Sequence, residues 1–97
     1  MMIDALASPT VPEFAYFAHQ LRELRRRLVG KQLCLSWAVG CTDAAVSFWE
    51  SGKRLPHRGT LSRILAALAR EGATDSDLST LRQTWHQART TRTTRVA

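Results

Sequence analysis

Residues 30–56 read GKQLCLSWAVGCTDAAVSFWESGKRLP, and this stretch decides the fold. Leu35 and Val39, one helical turn apart, mark one face of a short helix over about 31–39. Gly40 follows as a C-cap or turn residue, where positive φ carries no Cβ penalty. Thr42 offers a side-chain oxygen to the orphan amides of a second helix over about 43–51, with Val46 and Trp49 inward. Gly52 ends that helix, and Lys53 and Arg54 open a basic loop. Helix, glycine turn, helix is a supersecondary pattern in its own right, here at 31–51.

Working outward, residues 12–29 repeat Phe14, Phe17, Leu21, Leu24 and Leu28 at spacings of three and four. That is a single apolar stripe, with Arg22, Arg26 and Arg27 opposite it. The basic face is either solvated surface or a phosphate-contacting one. Ser8, Pro9 and Pro12 disfavour regular structure over 1–10, which reads as a flexible arm, and Thr10 with Glu13 forms a capping box for the first helix. Downstream, a helix from Arg58 or Gly59 to Arg70 turns Leu61, Ile64, Leu65 and Leu68 inward. Thr74 and Asp77 cap a last helix over 75–89, whose stripe is Leu78, Leu81, Trp85 and Ala88. That stripe either covers the core or supplies a dimer interface through Leu78, Leu81 and Trp85, since a narrow seam suits a partner helix. The segment TRTTRVA, at 91–97, reads as a disordered basic tail. The expectation is one all-α domain over 11–90, five helices around one core.

From Phe17 to Leu68, about half of the 97-residue chain, the sequence resembles the Xre/Cro-type helix-turn-helix domain of phage repressors and small bacterial regulators. The resemblance runs without a gap through LRELRRRL, Gln32, Leu35, Val39-Gly40, Thr42, Val46, Trp49-Glu50, Gly52, Arg54-Leu55-Pro56 and Thr60-Leu61. It implies a five-helix, phage-repressor-like fold and a small sequence-specific transcriptional regulator. It further implies a repressor acting as a homodimer on an inverted repeat of double-stranded DNA. In that motif the second helix lies in the major groove while the first crosses the backbone. Base-facing positions then fall at Thr42, Asp43, Ala44, Ser47 and Phe48, and phosphate positions at Gln32, Lys53, Arg54 and Arg58. Charge placement adds Arg22, Arg26 and Lys31 to the phosphate set. The resemblance also pairs Arg25 with Glu50 in a structural salt bridge.

The departures from that pattern open a second reading. Between Thr42 and Ser51 there is no Arg, Lys, Gln or Asn to reach a base edge. Asp43 can accept from a cytosine amino group, but its charge is repelled by phosphates. Lys31 stands where the family has a Ser or Thr cap, and a lysine cannot accept from amides. Leu33, Cys34 and Trp37 occupy positions the family fills with polar residues. An exposed apolar surface usually marks a binding site. The alternative is therefore a protein-interaction module that grips a partner through Leu33, Trp37, Ala44 and Phe48, unless the N-terminal arm or last helix covers them.

Fourteen Lys and Arg against eight acids give a net charge of +6, which favours an acidic partner, nucleic acid before an anionic membrane. No apolar run approaches the roughly 18 residues of a spanning helix, and MMIDALASPT lacks a basic n-region. Cys34 and Cys41 read as reduced thiols of a cytoplasmic protein, too few for a metal site. His19, His57 and His86 are scattered, with no nucleophile or carboxylate at a telling spacing, and no glycine-rich phosphate loop occurs. Neither enzyme, cofactor nor metal is expected.

Overall fold

The computed structural model describes residues 10–96, with side chains through Thr91. Among them the periodic segments form five α-helices and no strand: α1 Ala15–Leu28, α2 Gln32–Val39, α3 Asp43–Glu50, α4 Arg58–Arg70 and α5 Asp75–Val96. A 3-10 turn, Pro12–Phe14, leads into α1. Its N-cap is Val11, one residue beyond the Thr10 expected there, and no side-chain cap bond forms at Val11. Apart from Thr10, the expected arm lies outside the described residues.

The apolar stripes converge. Phe17, Leu21, Leu24, Leu35, Val39, Val46, Trp49, Leu61, Ile64, Leu68, Leu81 and Trp85 are all buried in one cluster. α1 is central, packing against α3, α4 and α5, while α2 bridges α3 and α4. At about 25 cal/mol per Å², each fully buried Leu, Ile or Phe side chain contributes about 1.5–3 kcal/mol. That burial, rather than helix propensity, stabilises two helices as short as α2 and α3, which would be marginal alone.

Leu81 and Trp85 take the first of the two roles open to their stripe, that of covering the core. They are 0% and 1% exposed within their own chain, and Leu78 packs half-buried against the same core. A seam open to a second copy cannot be built from side chains already enclosed. Trp85 is also anchored, its indole Nε1 donating to Pro56 O at 2.8 Å. The expected Thr74–Asp77 box forms: Asp77 N donates to Thr74 Oγ1 and Thr74 N to Asp77 Oδ2, both at 3.0 Å. The Thr74 amide bond, joined by Arg27, holds the Asp77 carboxyl below its ordinary range. From this cap α5 runs to Val96, seven residues past the end expected at Arg89. No Gly or Pro comes after Gly72 to stop it, and extending a nucleated helix costs little. The tail expected over 91–97 is therefore helical as far as Val96. Among the described residues no helix is long and apolar enough to cross a membrane.

Candidate nucleic-acid interface

The turn between α2 and α3 is fixed by two local devices. Gly40 takes the left-handed conformation, φ 84°, and its N–H donates to Ser36 O at 2.8 Å. Thr42 Oγ1 then accepts from Ala45 N at 3.1 Å, capping α3. α2 has no such help at its start, where Lys31 is extended and makes no side-chain cap. Its positive charge at a helix N-terminus is unfavourable, as the sequence indicated.

A buried ion pair holds α3 to α1. Arg25 Nε donates to Glu50 Oε2 at 2.7 Å and Nη2 to Oε1 at 2.6 Å, a bidentate fork. Arg25 Nη1 also donates to Gly30 O at 2.6 Å, and Gln32 Nε2 to Glu50 Oε1 at 3.1 Å. The bond to Glu50 raises the Arg25 pKa further, against the opposing cost of burial. This network ties the end of α1, the start of α2 and the end of α3 into one piece. Gln32, expected at a phosphate, commits its amide to that network.

With its inner side on the core, α3 and its cap present Thr42, Asp43, Ala44 and Ser47 exposed and Phe48 half-buried. The structure thus places the five base-facing candidates on or beside one outward surface. On the α1 side, Ser47 and Ser51 share a polar cleft of about 180 Å³ with Arg22, Arg26, Gln32 and the Arg25–Glu50 pair. On the other side, Ala44 and Phe48 share a groove of about 300 Å³ with Thr42, Arg54, Pro56, His57 and Thr60. Cationic side chains therefore rim α3 on both flanks. Arg27 does not join them, since its Nη2 donates to Asp77 Oδ2 at 2.7 Å.

The loop after α3 is pinned to it. Lys53 N and Arg54 N both donate to Phe48 O, at 3.0 and 3.3 Å. The Arg54 guanidinium then lies 4.8 Å from the Phe48 ring centroid, a cation–π contact. Arg58, exposed, lies 5.5 Å over Trp85. Gly52, φ 76°, closes the loop beneath the N-terminal segment, its carbonyl accepting from Val11 N at 2.7 Å. Ser51, His57 and Thr60 line these two clefts, although the sequence places none of them in the site. Ser51 was within reach, being one helical turn beyond Ser47, whereas His57 and Thr60 join the groove only because the loop folds back.

The apolar set divides. Trp37 is 71% and Leu33 42% exposed on the outer side of α2. Ala44 and Phe48 belong to the groove with Arg54. The described parts of the arm and of α5 thus leave Trp37 uncovered. Among the described residues no group of three or more His, Cys, Asp or Glu is placed to hold a metal. Cys34 is exposed, while burial pushes the half-buried Cys41 thiol above its ordinary pKa, against the lowering field of Arg63. Comparison of this chain with protein-family models, curated proteins and solved structures returns no match.

Proposed function

We propose that this chain is a small helix-turn-helix regulator of the Xre/Cro type, a cytoplasmic repressor that lays α3 in the major groove of double-stranded DNA. The observation that carries this reading is the exposure of Thr42, Asp43, Ala44 and Ser47 between two basic rims, Arg22 and Arg26 on one flank and Arg54 on the other. Lys31, Lys53 and Arg58 add charge around the same motif, and the chain's net charge of +6 has the sign a phosphate backbone requires. Rigid attachment of α3 through Arg25 and Glu50 supports it further, because groove readout needs a fixed helix angle. As a homodimer on an inverted repeat, the protein would bind half-sites about 34 Å apart. Its dimer contact would lie on a surface other than the buried Leu81–Trp85 stripe. A gel shift at low salt on the DNA upstream of the protein's own gene is the test. A discrete complex that resists unrelated competitor supports sequence-specific binding, and no complex contradicts it.

A second reading is favoured by Trp37, whose 71% exposure the fold does not require. It is a protein-interaction module built on the same scaffold, with Leu33 and Trp37 on α2 as the gripping pair. Apolar residues exposed side by side are typical of interface centres. Loss of a captured partner from Trp37→Ala, with the fold intact, would support this second reading.

A further inference from the structure

Resting on the DNA reading above, we propose that Ala44 and Phe48 read the C5-methyl group of thymine, with Arg54 as the positioning residue for the Phe48 ring. α3 lacks the long polar side chains that usually read a base edge. Its outward side chains are Thr42, Asp43, Ala44, Ser47 and Ser51, with Phe48 at the edge of the groove. None is an amide or a cation long enough to bond bidentately to a purine edge. Ser51 Oγ is further engaged by Phe48 O at 3.3 Å. In the major groove the one apolar mark on a base pair is the thymine methyl, and the side chains suited to it are Ala, Phe and the methyl of Thr. Ala44 and Phe48, four residues apart, stand one above the other on the same helix face. With Thr42 they line the same groove of about 300 Å³.

The ring is held for that task. The Phe48 carbonyl accepts from two successive loop amides, and the guanidinium of the second, Arg54, covers one ring face at 4.8 Å. One face is thus occupied by a cation, which also draws the negatively charged duplex toward the ring. The groove thus sets the apolar Ala44 and Phe48 beside the Arg54 cation, the first suited to a thymine methyl and the second to the phosphates of any sequence.

The test uses the full chain and a pool of duplexes with a randomised core. The enriched duplex is resynthesised with deoxyuridine at each thymine in turn, which removes only the methyl group and leaves the protein unaltered. One methyl buried on binding corresponds to about a fourfold loss of affinity, about 0.8 kcal/mol, at each thymine that is read. The expected result is such a loss at one or two positions per half-site, restored by 5-methylcytosine paired with guanine in place of thymine to within about twofold. In Arg54→Lys, which keeps the charge but not the planar stacking group, the thymine-to-uracil ratio falls toward one. An enriched duplex that binds equally well with uracil throughout overturns the thymine reading alone. A pool with no enrichment overturns it together with the DNA reading.

Discussion

α2 and α3 are the same length, eight residues each, and meet at the same turn, yet they spend their residues differently. α3 is capped by Thr42, carries an acid in its first turn and exposes small polar or methyl groups. α2 starts on an uncapped lysine and exposes a tryptophan and a leucine. Both bury the same kind of inner face, Leu35 and Val39 on one, Val46 and Trp49 on the other. The difference teaches where stability and function part company. α3 is locally well specified and firmly attached, whereas α2 is held by packing and keeps apolar surface that its own fold does not use.

That contrast can be broken by substitution. The largest effect belongs to the reference point, the enclosed core: Trp85→Ala should cost about 3–5 kcal/mol in chemical denaturation. If it instead changed only the sedimentation coefficient of a dimer, the assignment of this stripe to the core would be wrong. Glu50→Ala should cost a comparable amount, about 3–5 kcal/mol, because Arg25 is left charged and buried without its partner. A loss under 1 kcal/mol would show α3 to be attached by packing alone. Thr42→Ala should cost about 1 kcal/mol, while Lys31→Asp, supplying both cap and favourable charge to α2, should gain about 0.5–1 kcal/mol. Equal and opposite shifts in melting temperature at the two helix starts would sharpen the comparison, and a stabilising Thr42→Ala would break it. Smallest is Trp37→Ala, within about 0.5 kcal/mol of the parent in thermal melting, as for exposed residues generally.

A pH prediction touches the other end of the molecule. The Asp77 carboxyl has its pKa lowered by folding, so its contribution is present above the unfolded value of about 3.9 and lost as pH falls through the folded one. Acid titration of helicity should therefore be shallower below about pH 4 in Asp77→Asn than in the parent. Identical titrations would mean that the cap does not sense the charge.

Much of this arrangement was legible because it is local. The Gly40 and Thr42 turn, the missing cap at Lys31 and the Thr74–Asp77 box each involve residues a few positions apart. Periodic leucines named the core for the same reason. The Arg25–Glu50 pair, 25 residues apart, was reached through the family resemblance and is present as a bidentate fork. What stayed hidden needs the chain to return on itself. The cation–π contact of Arg54 with Phe48 depends on the loop after Gly52, and the Trp85–Pro56 bond joins positions 29 apart. A stripe such as Leu78, Leu81 and Trp85 looks the same whether it faces a core or a second copy. The length of α5 was missed because Thr and Arg carry no inward pattern to announce a helix.

The most direct test of a cationic frame presenting α3 to DNA is the salt dependence of binding to a short duplex. Plotted as log K against log salt, the slope should approach −0.9 for each phosphate neutralised, so several contacts give a steep line. Arg26→Ala and Arg54→Ala should each flatten it by about one contact while leaving the melting temperature within a few degrees. A flat line for the parent chain, or no binding at low salt, would contradict the account.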